Sequence, residues 1–176
     1  MTALPIILFD DQVLREKAKP IKKIGPQHRE LAENMAATLQ GAGGIGLAAN
    51  QVGVTERLIV VDFDSEENRS KNGKEHRLQA LINPEVLDES PTDDVLEEGC
   101  LSLPNISGDI WRPTWIRYRY QDVQGHVREE EASGLLARCI LHEIDHLDGV
   151  LIIDRMAPDI RRKLAGKLRK LRETRV

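Results

Sequence analysis

An α+β architecture resting mainly on antiparallel sheet is the expectation for this 176-residue chain. Three features carry that expectation. A helical pattern lies near the start, short apolar segments cut by turn residues fill the middle, and two helical patterns close the chain. Strands and helices segregated in this way favour α+β over an alternating α/β fold. The segment 132–147 is apolar on most sides, which predicts a buried central helix with antiparallel sheets of short strands packed around it.

The first helix is expected over PQHRELAENMAATLQGAGG, where Leu31, Met35 and Leu39 recur every four residues and glycines end the pattern. GIGLAANQVGV follows as a glycine-flanked apolar stretch. RLIVVDF (57–63) reads as a strand, and SEENRSKNGKEH (65–76) as a polar surface loop. LQALINPEVL reads as a second strand, limited by Pro84. PTDDVLEEGCLSLP holds a short strand that ends in a turn near Cys100. WIRYRYQD and HVREEEA bracket Asp122 to Gly125 and predict a hairpin. In the central helix Leu135, Leu136, Ile140, Leu141, Ile144 and Leu147 run most of the way round, and Gly149 stops the pattern. The last segment, about 158–176, is a basic amphipathic helix with Ile160, Leu164, Leu168 and Leu171 as its apolar stripe.

No repeat or linker divides the chain, so residues 1–176 are expected to form a single domain with its own core. Hydrophobic residues make up 40% and charged residues 31%, as in ordinary globular proteins; aromatics are only 3%, so the core must be aliphatic. A net charge of −4 gives no whole-chain reason to expect DNA or an anionic membrane as partner. No apolar run approaches the roughly 18 residues of a membrane span. MTALPIILFDD has no basic n-region and does not read as a signal peptide. Cys100 and Cys139 are read as reduced thiols of a cytoplasmic protein.

The chemistry centres on ILHEIDHLDG (140–149). Within it His142 and His146 stand four apart, on one helical face, and can share a metal, with Glu143 beside them as a base. A catalytic zinc-type site has three protein ligands and one open position, so a third ligand is required. Cys139 shares the helical face but lies roughly 7.5 Å of rise from the metal position, too far for its short side chain; it fits better as a small apolar lining group. After His146 there is no further His, and the only Glu is Glu173 in the basic tail. Asp148, Asp154 and Asp159 remain open as donors but lack supporting context. Cys100, in EEGCLSLP between a glycine and a proline-ended turn, is better placed, and a Cys-His-His set suits zinc or iron.

Three motifs, taken together and in order, resemble those of the peptide deformylase family: GIGLAANQ (44–51), EGCLS (98–102) and HEIDH (142–146). The likeness extends through LINPE, GLLARCI and HLDG and covers most of residues 4–157. It implies that Cys100, His142 and His146 bind one catalytic divalent metal, Fe(II) natively and replaceable by Ni, Co or Zn. It implies Glu143 as general base and acid, and Gln51 with the backbone N–H of Leu101 as oxyanion donors. The implied reaction removes the N-formyl group from the methionine of newly made bacterial or organellar polypeptides.

That chemistry suits the residues read by themselves. A bound divalent ion lowers the pKa of its water, Glu143 can carry the proton to the leaving amine, and an amide side chain with a backbone N–H can hold the oxyanion. The peptide is expected to lie extended beside Ile45 and Gly46, its methionine in a pocket of Ile45, Leu135 and Cys139. One departure is Leu141, where the family usually has Gln. It points about 100° from His142 and is no ligand, so its effect falls on rate and metal affinity.

Blander readings stand beside these. H-E-x-x-H can arise by chance, but two His and a Glu are costly on an apolar helix without a role. GAGGIGLAANQVG alone is a flexible loop, and it lacks the ending of a phosphate loop. Asp145 is expected in a structural ion pair with Arg112 or Arg138, and His28, His76 and His126 on the surface. The basic tail is a solvated face or, more sharply, a contact with ribosomal RNA. The rival functions are a zinc endopeptidase, which would use a downstream Glu or His as ligand, and an inactive metal-bound module associated with the ribosome or RNA.

Overall fold

Antiparallel pairing organises the strands of this computed structural model, which describes residues 2–63 and 77–173. The polar segment 65–76, with His76, lies outside the described residues, as do the last three residues of the expected C-terminal helix. In chain order the elements are α1 (Pro26–Ala42), β1 (Gly46–Ala48), β2 (Leu58–Phe63), β3 (Arg77–Glu89), β4 (Asp93–Cys100), β5 (Leu103–Pro113), β6 (Trp115–Gln121), β7 (Val127–Ser133), α2 (Gly134–Leu147), α3 (Ile152–Arg155) and α4 (Pro158–Glu173). Short 3-10 turns cover Gln12–Arg15 and Ala49–Val52. One sheet has the order β1-β2-β3-β6-β7, and β4 and β5 form a second, two-stranded sheet. The fold is thus mixed, with antiparallel sheets and helices. Among the described residues no helix is long and apolar enough to cross a membrane.

Helix α1 starts at Pro26, whose missing N–H costs nothing at that position, and ends at Gly43 with φ +68. Met35 and Leu39 are fully buried against Leu47, Leu58 and Ile82. His28 is not on the surface as expected. It is 4% exposed, and its Nδ1 accepts the Gly25 N–H at 2.9 Å, so it serves as a buried helix cap. His126 is exposed, in the hairpin turn where Asp122 accepts the backbone N–H groups of Gln124 and His126.

Pro84 does not limit the second strand. β3 runs on to Glu89, because its pairing with β6 shifts register between Ile82 and Glu85 and leaves the proline unpaired. Asn83, at φ +52, anchors that irregularity by bonding both backbone groups of Ile21 and the Gln121 side chain.

Helix α2 begins at Gly134, later than expected, since Ala132 and Ser133 still pair with Ile116 and Trp115 as the end of β7. It packs through Ala137, Cys139, Ile140 and Leu147 on Ile59, Leu81, Ile116 and Tyr118. Leu135 is an exception to the apolar periphery, at 49% exposed. The stripe of α4 packs on Phe9, Ile106 and Ile153, and its basic residues point outward.

Two glycines in the left-handed region separate strain from crowding. A Cβ at Gly149 would stand 2.5 Å from the Arg15 carbonyl oxygen, whereas one at Gly43 meets nothing within 4 Å. Gly43→Ala is expected to cost the conformational penalty alone, about 1–2 kcal/mol. Gly149→Ala should cost clearly more, read as urea midpoints of the two variants side by side.

Candidate metal centre

Three elements converge on one cleft of about 700 Å³. The start of β1 supplies Gly46, with Ile45 just before it, at one wall, the β4–β5 turn supplies Cys100 and Leu101 at another, and α2 supplies Leu135, Cys139, His142 and Glu143. Gln51 reaches in from the 3-10 turn after β1. His146, one turn further along α2, sits behind this lining with its Nε2 3.2 Å from Cys100 Sγ. All ten residues singled out in the sequence are therefore brought together.

Donor atoms of Cys100, His142 and His146 lie within 4.8 Å of one another. Four-coordinate bonds of about 2.0–2.3 Å place neighbouring donors roughly 3.3–3.6 Å apart, and the 3.2 Å sulfur–nitrogen spacing is a few tenths of an ångström short of what one shared cation needs. A thiolate with two imidazoles is a sound set for zinc or iron. Of the three aspartates left open in the sequence, Asp148 pairs with Arg57 at 2.7 Å and Asp154 with Arg15, and among the described residues none of the three, Asp159 included, joins the donor group. Cys139 stands apart, its thiol on the Ile45 carbonyl at 3.4 Å. Burial, with the charges of Glu143 and Glu98, pushes that thiol well up, so it stays protonated.

The orientation of His142 comes from a residue whose role the sequence reading left unassigned. His142 Nδ1 donates to Glu98 Oε2 at 3.0 Å, which turns Nε2 toward Cys100. Glu98 also accepts from Arg112 at 2.9 Å and from Arg138 at 2.8 Å. Burial pushes its carboxyl up, but the bonds from His142 and Arg112 more than offset this and hold it well below the usual carboxylate range. A signal for Glu98 was present: it stands two residues before Cys100 on a strand, hence on the same face. Asp145 pairs with Arg112 at 2.6 Å, as expected, and also with Arg155; Arg138 instead binds Glu98 and Asp94. Asn50 donates to the His146 carbonyl, a further contact that sequence reasoning did not find. Leu141 packs against the core around α2.

Glu143 is 4% exposed, and its Oε2 has no protein partner. Burial raises its carboxyl to about 7. Burial pulls His142 down, yet bonds to Cys100 and Glu98 and the Glu143 charge lift it to about 10. Burial and the His142 charge hold His146 well below its usual value. Taking both Nε2 atoms as ligands therefore releases a proton, and metal uptake weakens as pH falls. Gly46 makes room for this arrangement, since a Cβ there would run into the Glu143 carboxylate and lie 2.7 Å from Cys139 Sγ.

Gln51 is tied into the same centre. Its Oε1 accepts the Ala48 N–H at 2.8 Å, and its Nε2 faces Ser102 Oγ at 3.1 Å and Cys100 Sγ at 3.8 Å. A strap from the N-terminal segment braces both turns: Ile7 N–H donates to the Gln51 carbonyl at 2.8 Å and Phe9 N–H to that of Ser102 at 2.9 Å.

Co(II) titration separates the two cysteines. A thiolate-to-cobalt charge-transfer band is expected in the parent protein and in Cys139→Ser, and absent in Cys100→Ser. The reverse pattern would move the sulfur donor to Cys139.

Comparison with known proteins agrees with this geometry. The family model for polypeptide deformylase matches residues 3–162. A peptide deformylase of Rhodopseudomonas palustris (strain BisB5) is 43% identical over 170 residues, covering 97% of this chain and 95% of that protein. The crystal structure of peptide deformylase from Thermotoga maritima superposes with a TM-score of 0.80 at 42% identity, covering 90% of this chain and all of that one. The Ehrlichia chaffeensis enzyme gives a TM-score of 0.87 at 34% identity over 98% of each chain. A cleft that gathers a Cys-His-His set and a buried glutamate, in a chain so closely matched along its length, belongs to the polypeptide deformylase family of enzymes.

Proposed function

We propose that this chain removes the N-formyl group from the formyl-methionine of newly made polypeptides, releasing formate, as one catalytic domain over residues 1–176. The observation that carries the reading is the Cys100, His142 and His146 donor set beside a buried Glu143 with a free oxygen, all on one cleft. One divalent cation, natively Fe(II) and replaceable by Zn, Ni or Co, would be held by those three donors. When bound, such a cation supplies a Lewis acid and a water of lowered pKa.

The other steps fall to this chain's own groups. The peptide lies along the free edge of β1, the edge strand of the larger sheet, at Ile45 and Gly46. Its methionine side chain enters between Ile45 and Leu135 at the rim and Cys139 beneath them. Glu143 accepts the proton of the attacking water and delivers it to the departing amine. The Gln51 amide and the Leu101 N–H donate to the oxygen that gains charge in the tetrahedral state. Glu98 holds His142 in the tautomer that leaves its Nε2 lone pair toward the metal. In this reading α2 is the catalytic helix at the centre of the fold, the enzyme works in the cytoplasm, and the basic face of α4 meets the ribosome where substrate emerges.

An endopeptidase reading requires a downstream Glu or His in the donor set, and among the described residues the set is completed by the upstream Cys100. Intact Glu143 and Gln51 also exceed what an inactive metal-bound module needs.

Formate release from formyl-Met-Ala-Ser by Ni(II)-loaded protein tests the proposal. Loss of Glu143 as proton carrier is expected to lower kcat by about 10²–10⁴-fold in Glu143→Ala at unchanged metal content. A base acts deprotonated, so the rate rises with pH. Burial sets the carboxyl at about 7 and a neighbouring cation opposes that shift, so the acid limb lies at or below about 7. A metal-loaded wild type that gives no formate would overturn the reading.

A further inference from the structure

Among the described residues three buried side-chain atoms have no hydrogen-bond partner in the protein: Glu143 Oε2, His146 Nδ1 and Asn50 Oδ1. The proposed function gives the first of them a water to act on. The other two are left over, and they are complementary. When Nε2 of an imidazole binds a cation, the ring proton sits on Nδ1, which then needs an acceptor. An amide oxygen is an acceptor that needs a donor.

These two atoms belong to residues already in contact, since Asn50 Nδ2 donates to the His146 backbone carbonyl. That bond does not by itself account for a fully buried asparagine, because the same carbonyl already accepts the Gly149 N–H at 3.0 Å. Burying an amide whose oxygen goes unused is costly. Asn50 is also firmly placed. It stands beside Gln51 on the 3-10 turn, where its carbonyl accepts the Gly53 N–H at 3.1 Å and that of Gln51 accepts the Ile7 N–H at 2.8 Å. The histidine is the partner that can adjust. His146 Nε2 lies 3.2 Å from Cys100 Sγ, closer than two donors on one cation stand, so loading shifts the ring or the thiol.

We propose that Asn50 is the positioning residue of the second histidine ligand. In the metal-loaded protein its Oδ1 accepts the His146 Nδ1–H, while its Nδ2 keeps hold of the backbone of the same residue. The inference rests on the proposed metal site and divides the work of orienting it. Glu98, a carboxylate on β4, turns His142. Asn50, a neutral amide on the turn after β1, turns His146. Because Asn50 and Gln51 are consecutive, one short turn then sets both a metal ligand and a proposed oxyanion donor.

Protein labelled with 15N-histidine would be loaded with Zn(II) and its imidazole N–H groups followed by NMR, with zinc affinity read by chelator competition. In the wild type the His146 proton is expected on Nδ1, exchanging slowly with solvent. Asn50→Asp keeps the acceptor and loses the Nδ2 donor. The His146 N–H signal should shift there, with affinity within a few-fold of wild type. Asn50→Leu loses both groups, and affinity should fall by about 10–100-fold. The His142 N–H, held by Glu98, should stay in place in both variants. If Asn50 acts only through the His146 carbonyl, Asn50→Asp sets a carboxylate against that carbonyl and binds zinc at least as weakly as Asn50→Leu. That order would overturn the inference, as would a His146 N–H that Asn50→Asp leaves unmoved. Should a variant fail to fold, the wild-type spectrum decides. A nuclear Overhauser contact from the His146 Nδ1–H to the Asn50 side-chain amide supports the inference, and its absence overturns it. Wild-type protein whose His142 and His146 signals ignore zinc would sink the metal reading and this inference with it.

Discussion

A single buried carboxylate, Glu98, links the parts of the molecule that must agree in position. It joins His142 on α2, Arg112 on β5 and Arg138 on α2, while standing itself on β4 two residues before Cys100. Arg112 passes the connection to Asp145, and Arg138 passes it to the Ile110 carbonyl and Asp94. A buried ion cluster of this kind adds little net stability over apolar packing, but losing one partner strands a charge at a cost of about 3–5 kcal/mol. Its value here is positional. The thiol comes from a strand turn and the imidazoles from a helix, and nothing covalent fixes their separation.

Much of this was readable in the sequence, for reasons that differ by residue. His142 and His146 were legible because helical spacing alone puts them on one face. Cys100 needed more, since its distance from the helix is a matter of tertiary packing. Spacing could reject Cys139 but could not choose between Cys100 and the later aspartates. Glu98 was within reach, being in register with Cys100 on a strand, but a glutamate in an acidic run reads first as a solvated face. The two arginines that make it buriable are 14 and 40 residues away. Pro84 and His28 misled for a common reason: each is polar or strand-breaking by type, and each is accommodated by one local device, a register shift and a helix cap. The start of α2 was masked because alanine and serine sit as readily at a strand end as in a helix.

The cleft is also supported from outside its lining. The N-terminal segment bonds the carbonyls of Gln51 and Ser102, and Phe9 of that segment lies beneath α4, with Arg172 over its ring at 5.3 Å. Both ends of the chain therefore brace the two turns proposed to hold the oxyanion. Under the same proposal the basic face of α4 is left outward while its apolar stripe does this work. Gly46 plays the complementary part on the other wall, where the absence of a side chain keeps Glu143 free.

The central claim, that Glu98 sets His142 for metal, is tested most directly by Glu98→Gln, which keeps the shape and removes the charge. Metal affinity would be measured by competition with a chromophoric chelator, alongside far-ultraviolet circular dichroism to establish that the variant is folded. The account predicts affinity weaker by about 10–100-fold in the folded variant. Unchanged affinity in a folded Glu98→Gln protein would contradict it, and the geometry of the metal centre would then have to come from packing alone.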